Sequence, residues 1–152
     1  MTTPGDVLPD RDLFTSRLID APCERVFAAF ADPERLARWW GPDGFTNIFQ
    51  EFDLRPEGQW RFVMHGPNGG DYKNESVFRE VVPPTRVVFD HVSPPRFTMT
   101  ISLAEEAGRT RVIWHQRFPT AAECDKVRGF APTANEQNLD RLAAEVARSG
   151  GA

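Results

Sequence analysis

Cysteine, tyrosine and histidine are scarce in this chain: two Cys, one Tyr and three His stand among 152 residues. Cys23 and Cys124 cannot build a disulfide framework, so a reduced, cytoplasmic setting is the expectation. Three histidines leave little material for a His-based metal site, and no metal or other cofactor is expected. No run of about 20 apolar residues occurs, the length a membrane-spanning helix requires. Positive charge is not in excess either, since 18 Lys+Arg against 22 Asp+Glu give a formal net charge of −4. A general phosphate-backbone binder needs a basic face, so no nucleic-acid partner is expected. Met1 to Asp10 does not follow a signal-peptide pattern and reads as a flexible arm; Ser149-Gly150-Gly151 reads as a frayed end.

What the chain does have is ring surface without hydroxyls: 12 Phe and 4 Trp. Its length suits one domain, placed over residues 11–149. Seventeen aromatics (the single Tyr included) exceed what a minimal core needs. They build a Phe-rich core, or they line an apolar cavity or interface.

Leu13 to Ile19 reads as a strand. Ala21-Pro22 opens a helix with Val26, Phe27 and Phe30 on one stripe. Asp32 as N-cap with Pro33 behind it starts a second helix that ends near Trp39-Trp40. Gly41-Pro42 and Gly44 stop it. From Phe45 to Phe118 the pattern becomes six short strands separated by Gly and Pro turns: Phe45–Leu54, Gln59–His65, Tyr72–Val82, Arg86–Val92, Arg96–Leu103 and Thr110–Phe118. Thr120 to Glu123 and Thr133 to Glu136 read as capping boxes. The first of these helices ends near Gly129, Pro132 separates the two, and residues 134–148 form the long terminal helix. The order predicts an α+β fold, with a seven-stranded antiparallel sheet curled around the long C-terminal helix.

Asp32-Pro33-Glu34-Arg35-Leu36-Ala37-Arg38-Trp39-Trp40-Gly41-Pro42 resembles a signature of the START-like, helix-grip superfamily labelled SRPBCC. Within it the chain is similar to the branch named for the activator of the 90-kDa heat-shock protein's ATPase. Phe52 to Pro56, Trp60 to Pro67, Glu80 to Phe89, Ala121 to Lys126 and Asn135 to Leu142 carry the same likeness, which covers roughly Leu13 to Val146. The resemblance implies the helix-grip fold. It leaves three functions open: binding of a small hydrophobic molecule, polyketide cyclase- or aromatase-like catalysis, and a chaperone-cofactor-like interaction. Two positions depart from the family pattern. Glu57-Gly58 stands where relatives often show Gly-Gly, and Ser76 where Gly is common.

Alternation sorts the strand residues by face. Trp60, Phe62 and Met64 share one side; Val87, Phe89 and His91 align, as do Phe97, Met99 and Ile101. Val112, Trp114, Gln116 and Phe118 align opposite Arg111, Ile113, His115 and Arg117. Asn74, Ser76 and Phe78 are placed inward, and His65 and His115 outward. On the terminal helix Leu139, Leu142 and Val146 form a stripe, with Asn135 on its middle and Asn138 on its flank. Phe62, Met64, Phe78, Phe89, His91, Met99, Trp114, Gln116, Asn135, Leu139 and Trp40 are the expected ligand-contacting set. For Asn135 a helix-start hydrogen bond to neighbouring backbone competes with ligand contact. For Gln116 and His91 a satisfied structural hydrogen bond competes in the same way, and Trp39-Trp40 competes as a packing anchor. No catalytic set can be assembled: His91 is the one titrating group placed inside, Cys23 reads as buried and inert, and Gly66 to Gly70 reads as a hairpin turn. The reading is a non-catalytic binder of a small, largely hydrophobic molecule, with a homodimer left open.

Overall fold

Alternating apolar residues, interrupted wherever Gly or Pro forces a turn, give seven strands and four helices in the computed structural model, which describes residues 7–149. In chain order they are β1 (Asp12–Ile19), α1 (Cys23–Ala31), α2 (Pro33–Trp39), β2 (Thr46–Phe52), β3 (Gln59–His65), β4 (Asp71–Val82), β5 (Arg86–His91), β6 (Phe97–Glu106), β7 (Arg109–Arg117), α3 (Ala121–Arg128) and α4 (Ala131–Ser149). The strands form one antiparallel sheet in the order β1-β7-β6-β5-β4-β3-β2. β2 to β7 are a meander joined by short turns, as antiparallel neighbours allow. β1 and β2 therefore lie at opposite edges, and α1 and α2 carry the chain from one edge to the other. This is the α+β, seven-stranded arrangement that the strand and turn pattern predicts.

Local chemistry sets most of the boundaries. Asp32 Oδ1 accepts the Glu34 N–H at 3.0 Å, and Pro33 fills the first helical position, where its missing donor costs nothing. Thr120 Oγ1 caps α3 by accepting the Glu123 N–H at 3.1 Å. The second expected capping box does not form. α4 begins at Ala131, Pro132 lies in its first turn, and the Ala134 N–H already donates to the Phe130 carbonyl at 3.0 Å. Proline is tolerated there for the reason it is tolerated at the start of α2, so it does not separate α3 from α4. The Glu136 carboxylate, freed from capping, pairs with Thr15 and Arg17 of β1. Of the expected arm, residues 1–6 lie outside the described residues, while the Leu8 N–H donates to Asp12 at 2.7 Å and Arg128 holds the Pro9 carbonyl. Gly150 and Gly151 of the expected frayed end also lie outside the described residues.

The core lies between the inner face of the sheet and α4. Leu139, Leu142 and Val146 are buried against Val112, Trp114, Phe89 and Ile101 of the sheet and against Phe27 and Phe30 of α1 in one continuous cluster. Strand register arranges the inner face in rows. Phe52, Trp60, Ser76, His91 and Phe97 are successive partners across β2 to β6. Phe78, Phe89, Met99, Gln116 and Leu13 are successive partners from β4 to β1. Cys23 and Cys124 are free and buried, and burial pushes the Cys124 thiol above its ordinary value.

Candidate functional site

Where these rows meet α4 and the loop after α2, a cavity of about 160 Å³ remains. Nine of the eleven expected ligand-contacting residues line it: Phe62, Met64, Phe89, His91, Met99, Trp114 and Gln116 from the sheet, Asn135 from α4, and Trp40. Their separation in sequence spans most of the domain, so period-two alternation on four strands and the helical stripe converge on one point. Phe78 and Leu139 are not among its walls. Phe78 stacks behind Trp60, ring centroids 5.9 Å apart, and Leu139 is wholly buried in the core. Both project inward as alternation and helical period require, but neither borders the cavity.

Other wall residues were not in the expected set. Trp60, Asn74, Ser76 and Phe97 share the same inward alternation, and Asn138 comes from the flank of the helical stripe. Pro95, Gly41 and Pro42 come from loops, where no periodicity applies. Gly41 has φ +100°, a backbone conformation that L side chains rarely adopt, so glycine suits this turn of the loop over the cavity.

The polar groups on these walls pair mostly with each other. Asn135 Nδ2 donates to Gln116 Oε1 at 2.7 Å, so neither of the two is bonded to nearby backbone, and Asn135 lies a turn inside α4 rather than at its start. Asn138 Nδ2 donates to the Trp39 carbonyl at 3.1 Å. His91 Nδ1 lies 2.7 Å from the Pro95 carbonyl and Nε2 2.7 Å from the Asn74 side-chain oxygen, with the ring stacked on Phe97 at 4.8 Å. Burial pushes the His91 pKa below its ordinary value, which favours the neutral ring. A neutral imidazole donates from one nitrogen only, so one of the two contacts requires the Asn74 amide to turn and present its N–H.

The loop that carries Trp40 is held from α4 by one side chain. Arg141 Nη1 donates to the carbonyls of Trp40, Gly41 and Pro42 at 3.3, 2.9 and 2.8 Å, and Nη2 to those of Arg38 and Phe45 at 2.7 and 3.0 Å. Burial lowers its pKa, with Asp43 opposing the shift. Trp40 thereby meets Trp60 at 4.9 Å and Trp114 at 5.3 Å between ring centroids. Nothing local in the sequence marks Arg141 for this role.

Two larger clefts lie elsewhere. A groove of about 630 Å³ shares His91 and Phe97 with the inner cavity but is open and rimmed by Arg11, Arg96 and Arg117. Those guanidiniums are already engaged by the Pro119 carbonyl, Glu123 and Asp12 respectively. A cleft of about 310 Å³ lies between β1 and the first turns of α4. His65 and His115 lie away from the inner cavity, paired with Asp71 and Asp12. Among the described residues, no group of three or more His, Cys, Asp or Glu side chains could hold a metal ion, and no helix is long and apolar enough to cross a membrane.

The same architecture occurs in solved structures. A protein of Nitrosomonas europaea superposes with a TM-score of 0.86 at 21% identity, covering 95% of this chain and 99% of that one. One from Arthrobacter aurescens gives 0.85 at 21% identity, covering 91% and 87%. The AHSA1 protein of Silicibacter pomeroyi gives 0.75 at 26% identity, covering 91% and 99%. No curated protein matches the chain. Residues 20–147 match the family described as Activator of Hsp90 ATPase homolog 1-like protein, and this chain belongs to that family.

Proposed function

We propose that the protein binds, without catalysis, a small and largely apolar molecule in the cavity between the sheet and α4. The observation that carries this reading is the convergence of nine separately inferred residues on one cavity. Its walls follow the usual composition of ligand sites: aromatic and aliphatic surface with a few fixed polar groups. Its volume, about 160 Å³, is below the usual range for drug-sized ligands and close to that of cavities known to hold a single benzene. The occupant is therefore about one ring in size.

Catalysis is disfavoured by the state of its only candidate. His91 is the one titratable side chain on the walls, and both of its ring nitrogens already face protein partners. A general acid or base needs a nitrogen within reach of the substrate. The test is native mass spectrometry of protein purified from its own host, followed by thermal-shift screening with single-ring compounds. A co-purifying small molecule, or a saturable rise in melting temperature with a single-ring compound, is expected. No bound molecule and no stabilisation by any of them would overturn the reading.

A further inference from the structure

The open groove of about 630 Å³ lies where β5 and β7 end and β1 and β6 begin. Register makes Asp12, Arg117, Thr98 and Asp90 successive partners across β1, β7, β6 and β5, and the segments ahead of β1 and β6 add Arg11 and Arg96. The walls thus carry three guanidiniums and one carboxylate, in a chain whose net charge is −4. These charges are unevenly matched. The wholly buried Asp12 carboxylate meets Arg117 at 2.8 Å, and Asp90 is held by Arg79 at 2.8 Å and the Thr98 hydroxyl at 2.7 Å. Arg96 meets Glu123 at 3.3 Å through Nη2, with 60% of its side chain exposed, and a solvent-facing pair of this kind exchanges readily. Arg11 donates to the neutral Pro119 carbonyl at 3.3 Å, so among the described residues its charge meets a dipole rather than a carboxylate.

Beside the guanidiniums lies apolar surface that solvent reaches. Val92 is 46% exposed, Pro119 is exposed, and Leu8 and Phe97 are half-buried. The groove's volume falls within the usual range of ligand sites, about 300–1,000 Å³. We propose that this groove is a second binding site, separate from the inner cavity, for a singly charged amphiphile: a carboxylate on a short apolar tail. The tail covers Val92, Phe97 and Leu8, and the head lies at the rim that Arg11 and Arg96 supply. A guanidinium presents five N–H donors in a planar fork that fits a carboxylate, and the bonds to Pro119 and Glu123 engage only part of each fork. One negative charge on the ligand answers the one guanidinium of the walls that meets only a neutral group. An uncharged molecule of the same shape leaves that excess unanswered, and a bare anion leaves the apolar surface uncovered.

The experiment titrates the ¹⁵N-labelled protein with octanoate, octanamide and acetate at pH 7 and low salt. It follows the backbone amides of Val92, Thr98 and Arg117, which line the groove and not the inner cavity. Octanoate should move these amides in a saturable way and bind about tenfold more tightly than octanamide, its neutral counterpart, or acetate, its head without the tail. Arg11→Gln changes an exposed side chain and should weaken octanoate about threefold to fivefold while leaving octanamide unchanged. Arg96→Gln should act in the same direction, and added salt should weaken octanoate alone. Equal affinity for octanoate and either control, or octanoate binding that both variants leave unchanged, overturns the inference. So does octanoate that fails to bind, or that moves the Met64 and Met99 methyl resonances instead of these amides, because it then occupies the inner cavity. None of these results counts against the inner cavity as a ligand site.

Discussion

Asn135 on α4 and Gln116 on β7 hold each other across the cavity, Nδ2 to Oε1 at 2.7 Å, and tie helix to sheet through side chains alone. Gln116 is buried and Asn135 half-buried, so removing either leaves its partner without a bond in a place with little water. Asn135→Leu should lower stability by about 1–3 kcal/mol, although leucine suits the helical stripe. Gln116→Leu should cost a similar amount, and the double variant should cost clearly less than the sum. Urea unfolding of the four proteins measures this. Additive losses would mean that the pair is not an interacting unit.

Arg141 should prove irreplaceable by lysine. An ammonium is a compact centre on a flexible stem, whereas the guanidinium reaches five carbonyls at once from a planar fork. Arg141→Lys should cost about 2 kcal/mol and loosen Trp40, read as a red-shifted tryptophan emission and faster proteolysis between residues 40 and 45. Unchanged emission and cleavage would show that the loop holds itself.

Stability should fall on the acid side in two stages. Burial pushes the His91 pKa below 6.5, so the native state prefers the neutral ring. Its contribution is complete above the unfolded value and is lost as pH falls from there through the lowered native value. Glu145 follows at lower pH. Burial opposes ionisation, but hydrogen bonds from Arg38, Arg148 and Arg35 outweigh it and hold the carboxyl at about 2. The Asp12 carboxyl lies well below its usual range despite burial, because Arg117, the Leu8 N–H and His115 all surround it. Both contributions are present above about pH 4.5 and vanish as the acids protonate. Glu145→Gln should cost about 2 kcal/mol at pH 7, after discounting for the exposed Arg38 and Arg148, and almost nothing at pH 2. Melting temperatures of the two proteins from pH 2 to 8 test this, and a pH-independent gap would refute it.

The β2–β3 turn carries a residue in the wrong class. Glu57 has φ 70°, the left-handed region that favours glycine, while its carboxylate holds the exposed Arg79 at 3.1 Å. Glu57→Gly should therefore stabilise the protein by about 0.5–1 kcal/mol, because the exposed ion pair is worth less than the relieved backbone. Gly58 is the opposite case: a Cβ there would stand 2.0 Å from the Asp53 carbonyl oxygen. Gly58→Ala should cost about 3 kcal/mol or more. Denaturation midpoints decide both, and a destabilised Glu57→Gly would contradict the first.

What was legible in the sequence follows from which signals are local. The two-residue period of a strand places Phe62, Met64, Met99, Trp114 and Gln116 on the inner face whatever the tertiary details, and the helical period does the same for Leu139, Leu142 and Val146. Asp32-Pro33 and Thr120 mark helix starts because a cap bonds within a few residues. Pro132 misleads, because proline can open a helix as well as interrupt one. Period also cannot tell a wall residue from one behind it, so Phe78 and Leu139 share the right face yet do not border the cavity. The Asn135–Gln116 pairing and the Arg141 clamp join residues 19 and about 100 positions apart, and no local pattern encodes them.

Two methionines report directly on whether the cavity admits one ring. Met64 and Met99 both line the cavity, and Met1, the third methionine in the chain, lies outside the described residues. Protein with ¹³C-labelled methionine methyl groups should be titrated with ethylbenzene. Ring-current shifts should appear at Met64 and Met99 together, saturating at one equivalent. Methyl resonances at Met64 and Met99 that stay in place, or that drift without saturation, would contradict a one-ring ligand site.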